Sequence, residues 1–175
     1  MKFCSSCGGI IEQRTPAGDQ RIRAVCSACT TIHYQNPRIV AGCVVESDGK
    51  ILLCRRAIEP RRGFWTNPAG FMEIGETLQD AAARETREEA VAEVQLGPLL
   101  AVVNVLRSAQ VHIFFRATLI DTRFGAGAES LEVRLYEETA IPWDDMAFSS
   151  SIFALRHYLE DRRLGRQELH FLDIS

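Results

Sequence analysis

Two Cys-x2-Cys pairs, Cys4/Cys7 and Cys26/Cys29, stand 18 residues apart near the start of this 175-residue chain and constrain its folding more than any other feature. Each short pair can form a tight knuckle that presents two thiolates to one metal, so the spacing predicts a tetrahedral Zn2+ site. Four cysteine ligands leave no open position, which makes that zinc structural. A disulfide framework would suit a secreted chain, but the opening Met1-Lys2-Phe3-Cys4 lacks the apolar core of a signal peptide. The segment to Tyr34 is polar, with turn signals at Gly8-Gly9 and Pro16-Ala17-Gly18-Asp19, and holds too few large apolar residues for a core. Metal binding would then supply most of its folding free energy, on the order of 10 kcal/mol. The expected form is a zinc ribbon over residues 1–35, with strands near 10–11 and 21–25 and an exit at Asn36-Pro37.

The remaining two cysteines, Cys43 and Cys54, lie alone in apolar runs and read as small buried strand residues. From residue 39 the texture is that of an α/β domain, with 36–165 as its bounds and 166–175 as a tail without a clear pattern. Residues 39–46 and 50–56 are β-branched-rich runs joined by Ser47-Asp48-Gly49, a hairpin signal. A helix is predicted from Thr77 as N-cap to Ala90, with Asp80 favouring its amino end. Strands are expected over 99–106, 111–119 and 130–136, a Gly/Ala-rich loop over 121–129, and a helix over 150–163. No run of 18 apolar residues occurs, so a chain without a membrane span, in the cytoplasm, is expected.

The formal net charge of −3 argues against a large basic surface for nucleic acid, but its distribution is uneven. Residues 70–90 carry six acids and two bases, −4, so the rest of the chain sums to +1. Glu85, Glu88 and Glu89 stand at i, i+3 and i+4, on one face of the expected helix. Like charges so placed repel. Such a triple is either a solvated acidic face or a site for hard divalent cations, which take oxygen ligands.

Read from Gly70, the segment fits G-x5-E-x7-R-E-U-x-E-E-x-G-U, where U is bulky and apolar, at Gly70, Glu76, Arg84, Glu85, Glu88 and Glu89. It departs at Thr86, where an apolar residue is usual, and at Val91, where glycine usually ends the helix. Valine is poor in the left-handed conformation glycine permits, so either the helix ends differently or the metal loop is displaced. This pattern, over 70–92, resembles the Nudix box. Together with the cysteines, residues 31–37, 129–136 and 141–150 extend the resemblance to the zinc-ribbon Nudix hydrolases, which include the plant plastid FAD/ADP-ribose pyrophosphatase. The resemblance implies an α/β/α sandwich around a mixed sheet. It implies Mg2+ (or Mn2+) held by Gly70, Glu85, Glu88 and Glu89, with Glu88 and Glu89 in catalysis and Arg84 fixing Glu76 structurally.

The implied activity is Mg2+-dependent hydrolysis of a nucleoside diphosphate derivative: ADP-ribose to AMP and ribose 5-phosphate, or FAD to AMP and FMN. NADH pyrophosphatase is the alternative; that family carries an S-Q-P-W-P-F-P-x-S segment after the box, and residues 99–111 contain no Pro-Trp element. A zinc-ribbon nucleic-acid-binding regulator with a Nudix ligand-sensing domain is the alternative of another class; its ribbon would carry about +1 with zinc bound, too little for strong backbone binding. For a further catalytic carboxylate the expectation is Glu132, with Glu129 nearby. Arg56 and Arg62 are expected to contact phosphate, and Phe64 and Trp65 to line the substrate site, with Phe71 a further stacking candidate. His33, His112, His157 and His170 read as structural. A homodimer is expected by family analogy.

Overall fold

A computed structural model describes residues 1–175, and the chain divides between Asn36 and Pro37 into two units, Met1–Asn36 and Pro37–Ser175. The first is a three-stranded antiparallel sheet of β1 (Ile11–Arg14), β2 (Arg23–Cys26) and β3 (Ile32–His33), in that order. Strands 1 and 2 lie one or two residues beyond the expected positions, and β3 had no sequence signal. Asp19 closes the β1–β2 connection: Oδ1 accepts from the amides of Gln20 and Arg21, and Oδ2 from Arg23 Nε at 2.8 Å. The buried apolar residues of this unit are Val25, Pro16 and two of the cysteines, Cys4 and Cys26. Burial on that scale cannot hold the sheet together.

The second unit is built on an eight-stranded mixed sheet. Its strands are β4 (Arg38–Ser47), β5 (Lys50–Arg56), β6 (Trp65–Thr66), β7 (Ala69–Phe71), β8 (Val94–Val105), β9 (Gln110–Leu119), β10 (Ser130–Tyr136) and β11 (His170–Ile174). The order is β10-β5-β4-β9-β8-β11, with β6 paired to β5 and β7 to β4. The β4/β9 and β8/β11 pairs are parallel and the others antiparallel. Asp48 and Gly49, both at positive φ, make the tight β4–β5 turn.

Helices α1 (Leu78–Ala90) and α2 (Ser149–Leu164) cover opposite faces. Strand alternation decides which side chains meet which helix. Ala41, Cys43 and Val45 of β4 pack with Leu52, Phe115 and the alanines Ala81, Ala82 and Ala90 of α1. Val44, Leu53, Leu100 and Phe114 pack with Ala154, Leu155 and Leu159 of α2. Cys43 and Cys54 belong to the first of these layers and are fully buried. The fold is therefore an α/β/α sandwich.

Two features differ from the sequence expectation. The sequence predicts a strand starting at residue 99, yet β8 runs from Val94 and passes through Gly97 and Pro98. Register shifts between Leu96 and Leu99, and again between Leu99 and Ala101, mark a bulged stretch, where proline's missing amide costs no ladder hydrogen bond. The carboxyl end is not a patternless tail: residues 170–174 form β11, parallel to β8. It is anchored through Asp161 of α2, fully buried, which accepts from Arg116, from Arg166 Nε at 2.8 Å and from the Glu168 amide at 3.1 Å, and lies 3.0 Å from His170 Nε2. Burial alone would raise the Asp161 pKa, but these donors hold it well below the ordinary carboxylate range.

Candidate active site

Helix α1 starts as a capping box. Thr77 Oγ1 accepts from the Asp80 amide at 3.1 Å, while Asp80 Oδ2 accepts from the Thr77 amide at 3.2 Å. That fixes the helical phase, and with it the acidic face. Glu85 and Glu89 are buried, at 9% and 5% exposure, and Glu88 is open to solvent. Burial pushes the Glu89 carboxyl up to about 8, although it accepts a 3.0 Å hydrogen bond from the Ala69 amide. Burial raises Glu85 as well, and Glu129 adds like charge to both. The helix thus carries the cost of two buried acids that repel one another.

Arg84 organises the face. Its Nε and Nη2 fork onto Glu76 at 3.0 and 2.8 Å, Nη2 also donates to the Phe71 carbonyl, and Nη1 donates to Glu85 at 2.7 Å and Glu88 at 2.9 Å. The guanidinium pulls Glu76 down to about 2. Gly70, in β7, lies directly over Glu85: a Cβ there would sit 2.3 Å from its carboxylate. Only glycine allows this approach.

The two departures from the box pattern have local explanations. Thr86 is fully buried and donates from Oγ1 to the Ala82 carbonyl at 2.8 Å, so its hydroxyl is satisfied within the helix while its methyl packs. Val91 itself adopts the left-handed conformation, φ 48° and ψ 37°, and its amide bonds the Arg87 carbonyl. The helix therefore ends as it would with glycine, at the steric cost of a branched residue. The loop after β9 supplies further caps: Gly125 and Gly127 donate to the carbonyls of Ala90 and Glu89 at 2.8 and 3.1 Å. A Cβ on Gly127 would fall 1.7 Å from the Glu88 carbonyl oxygen. Gly127 thus belongs to the site's framework. Its sequence signal was only a glycine two residues before an acid.

A cavity of about 980 Å³ opens over this face, lined on its acidic wall by Gly70, Glu85, Glu88, Glu89 and Glu129 and elsewhere by Arg56, Phe71 and the first turn of α2. Glu129 is held at the wall by its backbone, whose carbonyl accepts from the Ala57 amide. Glu132 is not there. It is opposite Arg55 across the β10–β5 pair, after a register shift following Ser130, and so shares Arg55's exposed side, ion-paired to Arg55 and Arg134. Arg56, the next residue along β5, points the other way, into the cavity. Three further expected contacts also lie elsewhere. Trp65 is a core residue, edge-on to Tyr136 with ring centroids 5.1 Å apart; Phe64 is covered by the Arg61 guanidinium; Arg62 is exposed in the turn between them and β5. Phe71 does line the cavity, 45% exposed, with Arg38 stacked 4.5 Å from its ring centroid.

In the first unit the four thiols converge, with all Sγ atoms within 4.8 Å of one another. Cys4–Cys29 and Cys7–Cys26 are separated by 3.7 and 3.5 Å. That is far beyond a disulfide, about 2.05 Å, and near the edge of a ZnS4 tetrahedron, about 3.8 Å for Zn–S of 2.3 Å. The amides of Ser6 and Cys29 donate to Cys4 and Cys26 Sγ at 3.4 Å, and His33 Nε2 lies 3.2 Å from Cys4 Sγ. These are the outer contacts a thiolate ligand needs. The donor set fits Zn2+. On the acidic wall, carboxylates beside a close backbone strand are an all-oxygen set that fits Mg2+ or Mn2+.

Residues 36–155 match the NUDIX domain family, over more than half of the chain. The chain belongs to the Nudix family. Residues 2–35 match the Nudix N-terminal zinc ribbon, so both units have Nudix counterparts. A Nudix hydrolase structure from Nitrosomonas europaea is 51% identical, covers 99% of both chains and superposes with a TM-score of 0.96. An ADP-ribose pyrophosphatase of Methanocaldococcus jannaschii is 30% identical over 62% of this chain and 67% of its own length. An NAD-capped RNA hydrolase, NudC, of Vibrio atlanticus is 38% identical over 54% of this chain. The Nudix chain described here spans about a third of the length of that relative, 33%.

Proposed function

We propose that the protein is a divalent-metal-dependent Nudix pyrophosphatase that cleaves the diphosphate of a dinucleotide-like substrate, with ADP-ribose and FAD as the preferred class. The observation that carries this reading is the joint placement of Gly70, Glu85, Glu88 and Glu89 on one wall of a cavity of about 980 Å³ that also holds Arg56 and Phe71. Its volume is at the upper end of small-molecule sites.

Glu85, Glu88 and Glu89, with the Gly70 backbone, would hold Mg2+ or Mn2+. The bound ion supplies charge to the phosphate oxygens and a water of lowered pKa. Arg84 spaces the glutamates and keeps Glu76 ionised beside the strand that carries Gly70. Glu129, whose carboxylate faces the same wall from a separate loop, takes the proton from the attacking water. Arg56 contacts a phosphate, and Phe71, backed by Arg38, offers a face to a planar ring. With ADP-ribose the products are AMP and ribose 5-phosphate; with FAD, AMP and FMN. Zn2+ on Cys4, Cys7, Cys26 and Cys29 has a structural role.

A second reading, hydrolysis of NADH or of an NAD-capped RNA end, is favoured by the 38% identity with NudC over 54% of this chain. The absence of a Pro-Trp element from residues 99–111 ranks it lower. The test is kcat/KM for AMP release from ADP-ribose, FAD, NADH, diadenosine polyphosphates and NAD-capped RNA with Mg2+. The highest value is expected for ADP-ribose or FAD. A strong preference for NADH or capped RNA would reverse the order.

A further inference from the structure

Away from the glutamates the floor of the cavity is made by strands, and their register orders its side chains. Val40 of β4 is paired with Phe71 of β7 on one side and with His112 of β9 on the other, so these side chains emerge in a row on one face of the sheet. At about 4.8 Å per strand, Phe71 and His112 stand about 10 Å apart across Val40, which is buried. The next row is Gln110 of β9, Val105 of β8 and Ile174 of β11. Both rows line the cavity.

The two polar members of this floor belong to one hydrogen-bonded chain. His112 Nδ1 lies 2.8 Å from Ser150 Oγ, and His112 Nε2 lies 2.9 Å from Gln110 Oε1, which also accepts from Ser108 Oγ at 3.2 Å. Burial lowers the His112 pKa, so near pH 7 the ring is neutral, with one nitrogen donating and the other accepting. The Gln110 carbonyl takes the Nε2 proton, and Nδ1 accepts from the Ser150 hydroxyl. Oε1 then has both lone pairs engaged, by the imidazole and by Ser108. The free end of the chain is the Gln110 Nε2 amino group, two N–H donors without a protein acceptor on a residue that lines the cavity.

We propose that the Gln110 amino group, held by Ser108, His112 and Ser150, reads a hydrogen-bond acceptor on the edge of the substrate's planar ring, with Val40 and Ile174 as the apolar floor and Phe71 as the stacking wall. This rests on the pyrophosphatase reading and adds to it a determinant of ring choice that involves neither metal nor phosphate. A carboxamide with only its N–H groups free matches ring nitrogens and ring carbonyls, and is left unpaired by an edge that offers only donors or C–H groups. Adenine and isoalloxazine both carry such acceptors, and a sugar phosphate has no ring to be read. Gln110 touches the ligand, whereas Ser108, His112 and Ser150 are positioning residues. The strand β11 also gains a role, since its Ile174 closes the row that Gln110 begins.

Titration of the 15N-labelled, zinc-loaded full chain with AMP, FMN and ribose 5-phosphate in the absence of Mg2+ tests the proposal. The Gln110 side-chain amide signal is identified by its loss in Gln110→Leu. Saturable shifts of that signal are expected with AMP or FMN and not with ribose 5-phosphate, and the tighter of the two nucleotides names the ring. Gln110→Leu should weaken nucleotide binding about tenfold and leave ribose 5-phosphate binding unchanged. Gln110→Glu retains the acceptor oxygens and loses the donors, so nucleotide binding should fall in it too, relative to ribose 5-phosphate. His112→Phe releases the carboxamide and should raise KM for the preferred diphosphate by a larger factor than it lowers kcat. A fall in kcat at unchanged KM would overturn the positioning role of His112. An unshifted Gln110 signal with both nucleotides, or nucleotide affinity retained in Gln110→Glu, would overturn the ring-reading subsite even if AMP release were normal. Shifts with a nucleotide in a protein that releases no AMP from any diphosphate would overturn the pyrophosphatase reading and with it the assignment to substrate.

Discussion

Glu129 and Glu132 are three residues apart in sequence, yet only Glu129 reaches the acidic wall. The register shift after Ser130 sets Glu132 against Arg55 on the outer side of the sheet, while the chain just before it approaches the end of α1. A pattern of alternating residues carries no information about a bulge, so the sequence reading favours Glu132, and the structure brings Glu129 to the wall instead. Replacement of each by glutamine separates their roles. Glu129→Gln should lower kcat about a hundredfold, as loss of a general base does. Glu132→Gln breaks only solvent-exposed ion pairs and should stay within about twofold of wild type. Equal and large losses in both would return Glu132 to the mechanism. Trp65 gives the same lesson for aromatics: beside a strand end, composition alone does not separate a stacking surface from the core.

At the scale of elements, α1 is the best-determined part of the fold. Its cap, its alanine-lined inner face and its acidic outer face were all legible in the sequence, because helical period and capping chemistry are local. What was not legible is how the helix ends. Val91 takes the left-handed conformation, and the loop glycines Gly125 and Gly127 reach across to cap the final carbonyls. The second of these is a tertiary contact between segments some 35 residues apart, which no local pattern encodes. Val91→Gly should remove the steric cost and raise the unfolding free energy by about 1 kcal/mol, less whatever glycine adds to the entropy of the unfolded chain. Urea unfolding at constant slope measures it. A destabilised Val91→Gly protein would mean that the side chain contributes packing its 57% exposure does not suggest.

For the whole molecule, the near-neutral net charge hides unlike parts, and each part is explained by its own unit. The first unit has four converging thiols and little apolar burial, so a metal takes the place of a core. The second has two apolar layers on a mixed sheet and places two buried, mutually repelling carboxylates at the edge of a cavity. Strand periodicity revealed most of that sheet, but not the strand order, nor β11, whose five residues have no repeat long enough to read. On the proposed function, the buried glutamates hold divalent cations against a diphosphate. The most direct test is AMP release from ADP-ribose as Mg2+ is titrated, for wild type and for Glu85→Gln, Glu88→Gln and Glu89→Gln. Saturable dependence on Mg2+ is expected, with losses of about a hundredfold or more in each variant. Hydrolysis that needs no divalent cation, or that survives loss of Glu89, would contradict it.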